Sequence, residues 1–295
     1  MRRAALLAVL AACAAGCGGA GGESTTGTTA APRARAATGI TVVSRRRIDA
    51  RLAEYALRTT ALDEQTGVRV LLPAGYAAHP GRRYPVLYLL HGRDGTFRDW
   101  TRYGSAEPAT ARMPLIVVMP DAGRDAVYTD EAGERWAAYH AGQLVRWVDQ
   151  RFHTIAARRG RAIAGLSMGG FGALSYAART PGTYVAAASF SGALELSAPR
   201  PIDLASRLRS LRLVELRTGD GAPGPLDRRG TPSGCGACEI ERFLRPMNVR
   251  MHRRLTALGI RHVWDDYGPG THDWPYWRRD LRETLPDLMR VLAGR

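Results

Sequence analysis

The chain contains no lysine: its 295 residues carry 42 basic side chains, all arginine, against 27 acidic ones, for a formal charge of +15. An arginine-only basic set is what the codon bias of a GC-rich genome produces, so the charge alone does not imply nucleic-acid binding. What it favours is loose attraction to acidic polymers and anionic membrane surfaces. Zinc-finger spacing, an RNP signature and aromatics interleaved with the arginines are all missing, which excludes the nucleic-acid readers. No internal repeat is visible, which excludes solenoids and propellers. No His-Glu-x-x-His helix or other clustered ligand set is present, so no metal site is expected and no cofactor is implied. The amino-terminal apolar run Ala4 to Ala12 is far shorter than the roughly 20 residues a membrane-spanning helix needs.

That short run has another reading. It follows Met1, Arg2 and Arg3 and leads to Cys13 and Cys17, which is the pattern of an export signal over residues 1–17. Leu10-Ala11-Ala12-Cys13 and Ala14-Ala15-Gly16-Cys17 both resemble a lipobox, whose cysteine becomes the acylated first residue of a lipoprotein. Cys13 has the better-placed leucine; Cys17 opens directly into the glycine-rich tether Gly18–Gly22. Either would make the protein a membrane-tethered lipoprotein of the cell envelope, and plain secretion is the alternative. Residues 18–38 are rich in Gly, Ala, Ser and Thr, too apolar-poor to repay ordering, and read as a flexible linker. Residues 39–295 remain as a single folded domain. Outside the cytoplasm, Cys235 and Cys238 are expected to form a local disulfide, since no second Cys or His pair stands at zinc-ligand spacing.

Within the folded part, short β-rich runs come first, at Ile40 to Ser44, Arg51 to Arg58 and Val68 to Leu72, and read as edge strands. Tyr84 to Leu90 and Leu115 to Met119 lack alternation, as strands buried on both faces do. A helix is expected over 135–152. Beyond it, apolar strands alternate with helices to a last helix near Trp274 to Leu292. The pattern predicts an α/β fold, a mostly parallel central sheet with helices on both faces.

Gly165-Leu166-Ser167-Met168-Gly169 lies where one of those buried strands gives way to a helix of small residues. With 33 glycines in the chain the bare pattern is weak; its position gives it mechanical meaning. A turn that tight requires small flanking residues, lifts the serine hydroxyl above the sheet and aims the free N–H groups of the helix at it. Ser167 is the expected nucleophile, with the Met168 N–H as one oxyanion donor. Serine needs a base, normally histidine oriented by a carboxylate, and after such an elbow the chain order is serine, acid, histidine. Three histidines lie well past Ser167. His252 sits among arginines on a helix face that solvent would explain, and His262 falls in a strand. His272 occupies the loop Gly268 to His272 before the last helix, where the base should be. For the acid, Asp220 directly follows a strand, its usual place, and Asp227 is a further choice.

Gly165-Leu166-Ser167-Met168 and Gly270-Thr271-His272-Asp273-Trp274-Pro275-Tyr276-Trp277 resemble the esterase D group of α/β-hydrolases, in particular the mycobacterial antigen 85 mycolyltransferases. The similarity runs from about Tyr84 to Leu292. Tyr128-Thr129-Asp130 is similar to a further family segment, and Glu241-Arg242-Phe243-Leu244-Arg245 to the stretch that carries the family's acid. The resemblance implies an α/β-hydrolase fold, Glu241 as triad acid and Arg93 as second oxyanion donor, with Gly92 permitting the turn. His91 and Asp94 stand where antigen 85 has sugar-contacting residues of other types, so trehalose recognition is not carried over. Only about twenty residues separate Phe190 from Leu211, a short cap region where antigen 85 has a long insert.

Together these features predict an exported serine carboxylesterase. Its substrate would be a small-molecule or glycolipid ester of short-acyl or acyl-sugar type, with Trp100, Trp274 and Trp277 as wall residues. An acyltransferase of the antigen 85 type and a catalytically silent envelope-binding lipoprotein are the alternatives.

Overall fold

The computed structural model describes residues 38–294 apart from 124, 126, 127 and 132. The export signal, Cys13, Cys17 and nearly all of the linker lie outside the described residues. In chain order the strands are β1 (Ile40–Arg47), β2 (Leu52–Thr59), β3 (Thr66–Leu71), β4 (Val86–Leu90), β5 (Ile116–Pro120), the short β6 (Asp130–Glu131) and β7 (Glu134–Arg135), β8 (Arg161–Leu166), β9 (Ala186–Phe190), β10 (Leu213–Thr218) and β11 (Val263–Asp266). The helices are α1 (Asp99–Arg102), α2 (Ala106–Ala109), α3 (Trp136–Ala138), α4 (Leu144–Arg151), α5 (Met168–Arg179), α6 (Gly236–Ala257) and α7 (Trp274–Leu292).

Nine strands form one sheet in the order β1-β2-β3-β5-β4-β8-β9-β10-β11. The first three join antiparallel, β3 lies antiparallel to β5, and every pairing from β5 to β11 is parallel. The central strands are apolar throughout because both faces are covered. Along β4, Val86, Tyr88 and Leu90 face the layer holding Leu144, Phe171, Leu174 and Met251. Leu87 and Leu89 face the opposite layer, with Trp277, Leu281, Leu285 and Leu288 of α7. Of the three runs expected at the edge, only β1 lies there. β2 is paired on both sides, which explains its buried Leu52, Tyr55 and Leu57.

The helix expected over 135–152 is broken into α3, a π-helical turn at Tyr139–Gln143, and α4. That turn places His140 in the interior, where its Nε2 faces the Asp121 carbonyl at 2.8 Å and its Nδ1 the Tyr176 hydroxyl at 3.0 Å. A neutral imidazole donating to the carbonyl and accepting from the hydroxyl satisfies both. Burial lowers the His140 pKa from 6.5 to about 4, against the opposing pull of the Asp121 carbonyl. In the unfolded chain the ring protonates near its ordinary value, so stability falls as pH drops from that value toward 4. The loss is worth up to about 3 kcal/mol. Urea unfolding at neutral pH and near pH 4.5 should show a larger loss in the wild type than in His140→Gln; equal losses would refute this source of acid sensitivity.

Candidate active site

The candidate residues gather at the carboxyl ends of the parallel strands, where open α/β sheets place their sites. Ser167 follows β8 with φ +53° and ψ −119°, a backbone that a side-chain-bearing residue holds only under constraint. Its N–H bonds the Phe190 carbonyl at 2.9 Å, and its own carbonyl accepts from Ala193 at 3.0 Å and Gly170 at 3.0 Å. Both motif glycines are required by close backbone approach: a Cβ on Gly165 would stand 2.4 Å from the Gly169 backbone, and one on Gly169 2.5 Å from the His91 carbonyl. Ser167 Oγ makes no hydrogen bond with a described residue, as is common before a substrate aligns such a group.

His272 lies in the loop from β11 to α7. Its Nδ1 is 2.8 Å from Glu241 Oε2, and its backbone N–H donates to the Ala237 carbonyl at 3.1 Å. Ala237 lies between Cys235 and Cys238, which are joined by a disulfide at the start of α6. The Trp277 ring meets the His272 ring edge-on at 4.9 Å. Glu241, on α6, is fully buried. Its Oε1 accepts from Ser191 Oγ at 2.7 Å, Thr218 Oγ1 at 2.8 Å and the Gly219 N–H at 2.9 Å. Burial works to raise its pKa, but the His272 hydrogen bond and charge, followed by the two hydroxyls, outweigh it and hold the carboxyl below its ordinary value. A charged acceptor surrounded by four donors fixes the imidazole with its proton on Nδ1 and its lone pair on Nε2.

Asp220 does not join this cluster. Its carboxylate accepts from the Ala222 N–H two residues on, so it shapes the turn after β10. Asp227 also stands apart from His272 but holds its loop, accepting from Thr271 Oγ1 at 2.6 Å and Tyr276 Oη at 2.7 Å. The other two late histidines pair with each other, His252 Nδ1 to His262 Nε2 at 2.8 Å. His252 is stacked on Trp264 rather than resting on a solvated face.

Ser167 and His272 line one cavity of about 420 Å³ with Gly92, Arg93, Tyr103, Ile240, Trp274 and Trp277 among its walls. Gly92 crowds Ser167 so closely that a Cβ there would come within 2.7 Å of Leu166 Cδ1 and 3.3 Å of Ser167 Cβ. The Arg93 backbone thus passes beside the serine, while its side chain points out to Asp125. Trp274 and Trp277 are wall residues. Trp100 is not: it is buried, its Nε1–H donates to the Leu90 carbonyl at 2.9 Å, and it backs Trp274 edge-on at 5.3 Å. An indole with a buried carbonyl in reach satisfies its N–H inward. His91 is likewise turned inward, its Nε2 3.3 Å from Asp121.

Sequence reasoning missed Ser191 and Thr218. The sole signal for Ser191 was its place after a buried strand; its φ of +48° becomes visible only in three dimensions. Ser191→Ala should cost about 1–3 kcal/mol in denaturant unfolding, because a buried carboxylate loses a donor. An unchanged midpoint would show that the bond contributes nothing.

Among the described residues no helix is long and apolar enough to cross a membrane, and no group of three or more His, Cys, Asp or Glu could hold a metal. Sheet order, elbow and loop placement define an α/β-hydrolase fold. Residues 59–288 match the family described as "Putative esterase", and the chain belongs to that family. It is 42% identical over 165 residues to Esterase Rv1288 of Mycobacterium tuberculosis, a match covering 54% of this chain and 36% of that longer relative. It is 28% identical over 261 residues to the diacylglycerol acyltransferase/mycolyltransferase Ag85A of the same organism, covering 72% and 75%. Among solved structures, a ferulic acid esterase superposes with a TM-score of 0.67 at 24% identity, covering 81% of this chain and 98% of that one. Mycobacterium tuberculosis MPT51 (FbpC1) gives 0.62 at 20%, covering 80% and 96%. These two likenesses establish the shared fold.

Proposed function

We propose that the protein is an exported serine carboxylesterase in which Ser167, His272 and Glu241 act as nucleophile, base and orienting acid. The observation that carries this reading is the 2.8 Å contact of His272 Nδ1 with the buried Glu241, in a cavity that His272 shares with Ser167. Nε2 of His272 takes the Ser167 proton as Oγ attacks the ester carbonyl. The negative oxygen rests on the backbone N–H groups of Met168 and Arg93, each such donor being worth about 3 to 4 kcal/mol. Nε2 then protonates the departing alcohol, and an acyl-enzyme remains for water to cleave. Glu241 keeps the imidazole in the reactive tautomer and stabilises the imidazolium.

Acyl transfer shares every step but the last, in which an alcohol replaces water. The similarity to Ag85A favours it as a second reading, while the short β9–β10 connection and modest cavity favour short acyl groups. A chain-length series of activated esters, run with and without sugar acceptors, separates the two: rates indifferent to acceptor support hydrolysis, and acylated sugar supports transfer. Absence of turnover with every ester would leave a silent binding protein. Export and tethering through Cys17 or Cys13 rest on the amino-terminal sequence, and mass analysis of the membrane fraction tests them.

A further inference from the structure

A second cavity of about 420 Å³ adjoins the first, lined by Ser105, Pro108, Ala109, Arg278 and Arg282. Neighbouring residues line the two. Tyr103 and Trp274 face the Ser167 side, Ser105 and Arg278 the other, and Gly104 between them packs so tightly that a Cβ would stand 2.9 Å from the Trp274 ring. Arg278 and Arg282 are one turn apart on α7 and both line this space. Arg278 reaches only the Tyr103 carbonyl, at 3.4 Å, and neither arginine forms a salt bridge with a described carboxylate. Their neighbours on the helix are committed: Arg279 to Asp265, Asp280 and Glu283, and Arg290 to Asp287. Glu107, the carboxylate of α2, has its pKa raised by burial and by the neighbouring Asp49.

We infer that this cavity is an anion subsite of the esterase, receiving a carboxylate or phosphate carried by the substrate at the end remote from the scissile ester. The inference rests on the serine-esterase reading and narrows it to anionic esters. From Trp274, beside the reacting centre, Arg278 lies about 6 Å and Arg282 about 12 Å along the helix axis. A substrate lying against the exposed Tyr103 ring would therefore span a chain of several bonds between carbonyl and anion. Two guanidinium forks without a carboxylate partner among the described residues supply directed donors for such a group.

The test compares 4-nitrophenyl hydrogen adipate with the neutral 4-nitrophenyl hexanoate. The ratio of their kcat/KM values should exceed one in the wild type and fall about tenfold in Arg278→Gln/Arg282→Gln, a loss of the size expected for one charged contact. Arg261→Gln, which removes a charge before β11 at the other end of the sheet, should leave the ratio within about twofold, as an uncoupled surface change does. The ratio should also decline as sodium chloride rises from about 0.02 to about 0.5 M, which requires no variant. A ratio indifferent to both the double substitution and salt overturns the subsite. Failure to hydrolyse either ester would instead sink the catalytic reading; adipate binding to Ser167→Ala protein, lost with both arginines removed, then tests the subsite alone. Sedimentation with phosphatidylglycerol against phosphatidylcholine vesicles distinguishes sources: arginine-dependent pelleting assigns the anion to a lipid headgroup, and its absence beside a retained adipate preference assigns a soluble anionic ester.

Discussion

Replacing Ser167 with alanine is expected to lower ester turnover by about ten-thousandfold to a millionfold, the range seen when a hydrolase loses its nucleophile. The fold should tolerate the change, because Ser167 Oγ makes no hydrogen bond with a described residue and alanine meets no greater hindrance at the positive φ than serine does. Thermal unfolding should accordingly move little while kcat collapses. Turnover within about tenfold of the wild type would mean that another group attacks the ester, since the oxyanion donors alone leave only a small residual rate.

Glu241→Gln is expected to cost about ten-thousandfold in kcat, comparable to converting a triad acid to its amide. The reason is local. His272 Nδ1, Ser191 Oγ, Thr218 Oγ1 and the Gly219 N–H all converge on the two carboxylate oxygens, whereas an amide offers one oxygen and places an NH₂ group against either the imidazole or the other three donors. An NH₂ facing His272 selects the tautomer that cannot accept the serine proton. Asp220→Asn, whose carboxylate serves its own turn, should stay within about twofold. Steady-state kinetics of the two variants decide between the carboxylates, and a larger loss in Asp220→Asn would reverse the assignment.

The core of the fold was legible because the central strands have no polar face: Tyr84 to Leu90 and Leu115 to Met119 read as doubly covered, and they are. The elbow was legible because Gly165 and Gly169 flank the serine at a strand-to-helix switch, where only glycine fits. His272, the proposed base, could be chosen by elimination. The proposed acid could not be chosen on position alone. Proximity to the end of β10 favours Asp220, but Glu241 reaches the same place from a helix more than twenty residues later, and only the antigen 85 resemblance pointed to it. Trp100 was misassigned because an indole near a cavity has the same one-dimensional signature whether its N–H faces substrate or a buried carbonyl. The π turn at Tyr139–Gln143 kept enough helical spacing to pass as part of one helix. Ser191 and Thr218 left no pattern, since a hydroxyl bonded to a carboxylate fifty or twenty-three residues away is a product of sheet topology.

The most direct measurement is peptide mapping of wild-type protein after treatment with a fluorophosphonate, which phosphonylates a serine only where a base and oxyanion donors activate it. The account predicts a single adduct on the peptide bearing Ser167, and none when His272 is alanine. An adduct on a different serine, or an unmodified wild-type enzyme that still cleaves esters, would contradict it.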